Sequence, residues 1–108
     1  GIQLQVAVDE KLLTHFIPPL TLQMLLENAV KHNQVSARKP LLVTIQTETS
    51  SLVVTNNSQP KRSVTTSNGM GLSNIAAKYK LLNQPDVVIL SEAEQFSVRV
   101  PLIKPIDV

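Results

Sequence analysis

The spacing of apolar residues alternates along the chain between the period of a strand and that of a helix, and each change predicts an element. Leu4, Val6 and Val8 alternate with Gln3, Gln5, Ala7 and Asp9, the pattern of a short strand. Asp9 and Glu10 lead into a connector that ends at Pro18-Pro19, and proline suits the first turn of a helix, where its missing N–H is not needed. From Leu20 to His32 there is no Gly or Pro. Leu22, Leu25, Leu26 and Ala29 fall at helical spacing there, with Met24 and Val30 widening the stripe, which predicts a helix over Leu20 to Asn33. Gln34 to Pro40 is polar and reads as a loop. Leu41 to Glu48 reads as a strand with Val43 and Ile45 on one face, and Thr49-Ser50-Ser51 connects it tightly to Leu52-Val53-Val54, so the two form a β-hairpin.

Asn56 to Asn68 is almost devoid of apolar residues. A loop of that length in a small domain is a lid, a binding loop or a disordered segment. It ends at Gly69-Met70-Gly71, and a second helix is predicted from Leu72 to Leu82. Val87 to Leu90 and Phe96 to Val100 read as a closing hairpin, Pro101 ends it, and Lys104 to Val108 reads as a tail. The order is strand, helix, two strands, long loop, helix, two strands. It predicts an α+β fold, a two-layer sandwich of one mixed sheet with helices on one face. The hairpin over Leu41 to Val54 disfavours a doubly wound parallel sheet, and no internal repeat is present.

Composition narrows the function classes. The chain has 108 residues and 43% hydrophobic residues, enough for one domain (1–108) with a single modest core. Aromatics are only 3%, so the core is expected to be aliphatic, and stacking platforms for single-stranded nucleic acid are lacking. A net charge of +2 without a dense Lys/Arg run gives no footprint for duplex binding, so no nucleic-acid partner is expected. Without cysteine there is neither a disulfide scaffold nor a thiolate zinc site. No apolar run approaches the roughly 20 residues of a membrane helix, and the first residues lack the basic start of a signal peptide. Gly1 stands where an initiator Met would, which suggests a piece of a larger protein.

Three clusters carry candidate chemistry. On the first helix, Glu27 and Lys31 share one face, and Asn28 and His32 lie on the neighbouring stripe. A carboxylate and an amide oxygen are hard ligands suited to magnesium, and Lys and His can meet phosphate oxygens. The plainer reading is a solvated helix face with an i,i+4 ion pair. Gly69-Met70-Gly71-Leu72-Ser73-Asn74 places glycines before a helix start, a recipe for a phosphate site that equally serves an ordinary turn. No Walker loop and no full GxGxxG are present. Thr55-Asn56-Asn57-Ser58 follows a strand. Asn can accept from an exocyclic amine, and it is also a common turn residue.

The joint occurrence and order of these clusters is more specific than any one of them. Pro18-Pro19-Leu20, Leu22-Gln23 and Leu26-Glu27-Asn28-Ala29-Val30-Lys31-His32-Asn33 closely resemble the asparagine-box helix of the LytS-like branch of sensor histidine kinases. Gly69-Met70-Gly71-Leu72-Ser73-Asn74-Ile75 is similar to that branch's second glycine box, and Phe96-Ser97-Val98-Arg99-Val100-Pro101 to its closing strand. The resemblance spans roughly Leu4 to Ile103.

The resemblance implies the Bergerat-type fold of the gyrase, heat-shock ATPase, histidine kinase and MutL superfamily. It also implies ATP and Mg2+ as cofactors, and transfer of the ATP γ-phosphoryl group to a histidine on an adjoining helical domain. Asn28 is then expected to coordinate magnesium, Lys31 and His32 to contact or lie near the phosphates, and Glu27 to assist the attacking histidine. Gly69, Gly71 and Leu72 are expected to wrap the triphosphate, with Asn74 supporting that turn. The lid is expected over about 58–68, with Lys61 and Arg62 near phosphate or simply solvated. By the same resemblance the phosphoacceptor sits on a helix before Gly1. Neither His15 nor His32 matches it, so this piece is not expected to phosphorylate itself, and His15 reads as a surface or packing residue. Its partners would be its own phosphoacceptor and dimerisation domain and a response regulator. The piece alone would be a monomer, the parent a homodimer and inner-membrane sensor, and this domain cytoplasmic.

The chain departs from the family pattern at several positions. Asn56 falls where the first glycine box has the Asp that accepts from the adenine amino group, and Ser58 falls where it has a flexible Gly. Asn56 keeps an acceptor oxygen without the charge, a change expected to weaken binding without abolishing it. The lid is short, and Ala76-Ala77-Lys78 lacks one expected Arg. These departures motivate an alternative, a degenerate, nucleotide-free kinase-like module used for interaction. A serine-phosphorylating anti-sigma-factor kinase of the same superfamily and a plain α+β adaptor are further alternatives.

Overall fold

A computed structural model of the chain describes residues 1–33, 36, 38–59 and 70–105. Among these the elements follow the expected order: β1 (Ile2–Ala7), α1 (Thr21–Lys31), β2 (Leu41–Glu48), β3 (Ser51–Asn57), α2 (Met70–Leu81), β4 (Val88–Ser91) and β5 (Gln95–Pro101), with a 3-10 turn at Glu10–Leu12. The strands form one five-stranded sheet in the order β1-β2-β3-β5-β4. β1 runs parallel to β2, and the remaining neighbours are antiparallel. A parallel pair needs a crossover, which α1 supplies, whereas both expected hairpins close through short turns.

Strand alternation decides which face is covered. Leu41, Val43 and Ile45 of β2, Leu52 and Val54 of β3, and Val98 and Val100 of β5 pack with Leu25 and Ala29 of α1 and Ile75 and Tyr79 of α2. The core is aliphatic as expected, apart from Tyr79. The opposite face of these strands carries Thr44, Gln46, Thr55, Ser97 and an Arg99–Glu48 ion pair. One covered face and one largely polar face make this a two-layer α+β sandwich with its helices on one side. β1 is the exception. Ile2, Leu4 and Val6 are in register with Leu41, Val43 and Ile45, yet they remain 53, 54 and 62% exposed, because the helices pack on the inner strands.

Several boundaries shift for local reasons. Val8 leaves the strand because Asp9 is held by its N–H on Thr47 Oγ1 at 3.0 Å, while its side chain caps the 3-10 turn by accepting from Lys11 N. Pro18-Pro19 lies before α1 and not in its first turn: Leu20 adopts a left-handed φ of 65° and serves as N-cap, so the helix begins at Thr21. α1 ends at Lys31, before Asn33, because the Asn33 side chain takes over the Ala29 carbonyl. β3 extends through Asn56 and Asn57, which therefore belong to the sheet and not to the polar loop. α2 begins at Met70, so Gly71 lies inside its first turn. Among the described residues no helix is long and apolar enough to cross a membrane.

Candidate functional site

The helical stripe of α1 sets the site. Thr21, Leu25 and Ala29 are buried against the sheet. On one flank of that stripe lie Met24, Glu27, Asn28 and Lys31, related by i, i+3, i+4 and i+7 spacing and therefore neighbours on the helix surface. Asn28 and His32, nearest the core stripe, are half-buried, and Glu27 and Lys31 are exposed. Glu27 accepts a hydrogen bond from Gln23 Nε2 at 3.1 Å, so its carboxylate is oriented along the helix and is not in an ion pair with Lys31. The Asn28 carbonyl receives His32 N at 3.2 Å, whereas its side-chain amide has no hydrogen-bond partner among the described residues.

Gly71 connects α2 to that flank. A Cβ placed on it would meet Met24 Cε at 3.9 Å, so the first turn of α2 lies beside the stripe carrying Glu27, Asn28 and Lys31. α2 is anchored at its other end. Tyr79 Oη donates to Pro101 O at 2.7 Å, and Pro101 is in register with Ser51, where β3 begins. The C-terminal half of α2 is thereby tied to that end of the sheet. A helix N-terminus offers N–H groups without intrahelical partners and the positive end of the peptide dipoles. Leu72 is half-buried against the core and Asn74 is exposed.

Asn56 supplies the third side. It follows Leu52 and Val54 on the helix-facing side of β3 and is 3% exposed. Its Nδ2 donates to Asn57 O at 2.8 Å, which orients the amide and leaves Oδ1 as an acceptor with no partner among the described residues. Asn57 is occupied differently: its Oδ1 accepts from Leu42 N at 2.7 Å and its Nδ2 donates to Pro40 O at 3.2 Å, locking the start of β2 to the end of β3. A hollow of ≈ 290 Å³ on the uncovered side of the strands is lined by Leu42, Thr44, Thr55, Asn56, Asn57, Glu94 and Gln95, and of the expected site residues it holds Asn56 alone.

The structure thus brings Gly71 to Met24, on the α1 flank that one to two turns further on carries Glu27, Asn28 and Lys31, with His32 and Asn56 on the helix side of the sheet. Gly69 and most of the expected lid, with Lys61 and Arg62, lie outside the described residues. At the start of that segment Ser58 N donates to Glu94 O at 2.9 Å, continuing the β3–β5 ladder, and Gln59 Nε2 donates to Lys39 O at 3.1 Å. His15 lies apart from the site, half-buried with its Nδ1 enclosed and without a partner among the described residues, as suits a packing role. Sequence reasoning passed over Asn33, whose part is visible only once Gln59 is in place.

This geometry predicts that stability and ligand binding separate at Gly71. Its Cβ position is in ordinary van der Waals contact only, and Ala favours a helix over Gly by about 0.5–1 kcal/mol. Gly71→Ala is expected to hold or raise the thermal midpoint while weakening any ligand that rests on the backbone there. A falling midpoint with unchanged binding would remove Gly71 from the site.

No family model and no curated protein matches the chain. Solved structures do. The histidine kinase AdeS of Acinetobacter baumannii superposes with a TM-score of 0.51 at 11% sequence identity, over 94% of this chain and 54% of that one. The blue-light activated histidine kinase EL346 of Erythrobacter litoralis superposes with a TM-score of 0.53 at 16% identity, over 94% of this chain and 35% of that one. The chain therefore has a fold found in histidine kinases, and it spans about half and about a third of the lengths of these two.

Proposed function

We propose that the chain is the ATP-binding catalytic domain of a LytS-like sensor histidine kinase, of the Bergerat type. It would bind ATP with Mg2+ between α1 and α2 and present the γ-phosphoryl group to a histidine on a separate dimerisation domain, from which a response regulator is charged. The observation that carries this reading is the contact of Gly71 with Met24, which brings the start of α2 to the flank of α1 that carries Asn28 and Lys31 one and two turns further on. The fold shared with histidine kinases and the motif order support it.

The residues present suit these groups. Asn28 offers a half-buried amide oxygen with no competing partner among the described residues, a hard neutral ligand. Among the described residues no three acidic, His or Cys side chains cluster, which fits an ion shared with phosphates better than one held by the protein alone. Magnesium would supply neutralisation of phosphate charge. Lys31 adds a mobile cation near the same flank, and the start of α2 adds backbone N–H groups. Asn56, its amide oriented by the Nδ2 bond, presents Oδ1 as an acceptor, which suits an exocyclic amine of the base. Glu27 is exposed at the rim, where a carboxylate can meet an incoming imidazole. The parent's membrane attachment and dimeric state belong to this proposal.

Calorimetric titration of MgATP into the chain tests the reading, and saturable binding is expected. No heat at millimolar nucleotide with a folded domain would sink it and leave the nucleotide-free interaction module, the reading that Asn56 in place of an Asp favours. Phosphorylation of a His-bearing helical partner, and not of serine, would separate it from a serine kinase of the same fold.

A further inference from the structure

Two of the three sides of the proposed site, the end of α1 and the exit of β3, are joined by one side chain. Asn33 follows the C-cap of α1, is 7% exposed, and uses both ends of its amide. Its Nδ2 donates to Ala29 O at 2.7 Å, satisfying one of the carbonyls that every helix end leaves free. Its Oδ1 accepts from Gln59 N at 2.7 Å, across 26 positions of sequence. Ala29 is one residue past Asn28, and Gln59 is three past Asn56. One planar amide thus spans from the turn that carries Asn28 to the strand exit that carries Asn56. A buried amide with both ends used, at short distances, resists displacement because moving either side strands a polar group away from water.

We propose that Asn33 is a positioning residue, a clamp that holds the exit of β3 against the C-terminal turn of α1 and so fixes Asn56 relative to Asn28. This rests on the reading of the proposed site as an ATP site. Asn33 itself contacts no nucleotide. It acts through Gln59 N and Ala29 O. The clamp joins residues that the sequence holds far apart, and Asn57 reinforces the same corner by tying β2 to β3.

Three variants of the 108-residue chain test the clamp. Asn33→Ala removes both bonds. Asn33→Asp keeps the acceptor for Gln59 N and loses the donor to Ala29 O. Gln59→Pro removes the N–H and leaves Asn33 and its helix cap in place, and Gln59→Ala, which keeps the N–H, controls for the lost side chain. For Asn33→Ala and Gln59→Pro, Kd for MgATP is expected to rise about 10- to 100-fold, as for other residues that orient ligating groups, with the domain folded at the assay temperature. Gln59→Ala is expected to bind close to wild type, and Asn33→Asp, which keeps one of the two bonds, to fall between wild type and Asn33→Ala. Hydrogen exchange at the Gln59 amide should quicken in Asn33→Ala and stay slow in Asn33→Asp.

Wild-type affinity in Asn33→Ala or Gln59→Pro overturns the proposal, as does a Gln59→Ala as weak as Gln59→Pro, which would assign the effect to the lost side chain. Should Asn33→Ala not fold, Gln59→Pro decides alone. If the wild type itself binds no MgATP, the nucleotide reading has failed. The clamp is then judged by the Gln59 amide, whose unchanged exchange in Asn33→Ala would overturn it and whose faster exchange would support it.

Discussion

Asn28→Ala is expected to weaken MgATP binding by roughly a hundredfold, about 2.8 kcal/mol, without loss of stability. The two halves of that expectation have separate grounds. Asn28 lies beside the buried stripe and not within it, and its side-chain amide bonds to nothing among the described residues, so truncation opens no core and orphans no partner. Ala is also the better helix former, by about 0.5 kcal/mol. The loss in affinity comes from removing a hard oxygen from the flank on which Gly71 is seated.

The metal dependence makes this prediction specific. If the Asn28 oxygen acts through magnesium, chelating the metal should weaken the wild type to about the level of Asn28→Ala and weaken the variant little further. Two perturbations of one interaction do not add, whereas independent ones do. Asn28→Asp, which keeps an oxygen at the same reach, should retain part of the metal-dependent binding. Calorimetry with and without chelator on the three proteins measures all of it. Additive losses, or equal affinities for wild type and Asn28→Ala, would take Asn28 out of the metal role, even if the chain binds nucleotide.

The parts of this fold that were legible in the sequence are those in which periodicity meets a covered face. The Leu25–Ala29 stripe, the alternation of Val43 and Ile45, and the strand pair Leu52–Val54 each packed as their spacing indicated. β1 shows what periodicity leaves out. Ile2, Leu4 and Val6 alternate as cleanly, yet they stay exposed, because alternation encodes which face a residue takes and says nothing of whether a helix reaches over it. Gly71 read as a loop signal and lies inside the first turn of α2. Asn33 stood in the sequence only as the last residue of the predicted helix and of the asparagine-box string. Its meaning depends on a backbone N–H at Gln59, and no local pattern records a contact that distant. Tyr79 is the remaining case. The expected aliphatic core left no place for it, and its hydrogen bond could not be read without the strand it meets.

That bond governs the expected behaviour of the chain in alkali. Tyr79 is 1% exposed, and burial pushes its phenol from 10.0 up to about 12, because a phenolate there would lose water and could no longer donate to Pro101 O. The folded pKa lies above the unfolded one, so this group's contribution to stability is complete below pH 10 and is lost as pH rises from 10 toward 12. The loss is on the order of 3 kcal/mol, a large share of the about 5–15 kcal/mol that holds a domain of this size. Tyr79→Phe should cost about 1–3 kcal/mol at neutral pH by leaving the buried Pro101 carbonyl without its donor, and Tyr79→Ala about 3–5 kcal/mol by emptying the core beside Ile75. Urea unfolding of wild type and Tyr79→Phe between pH 8 and about 12 isolates the phenol, since every other titrating group is common to both and cancels in the difference. Their stabilities should converge as pH rises. Parallel curves would mean that the phenol ionises no differently in the folded chain, and the bond that anchors the C-terminal end of α2 would have to be sought elsewhere.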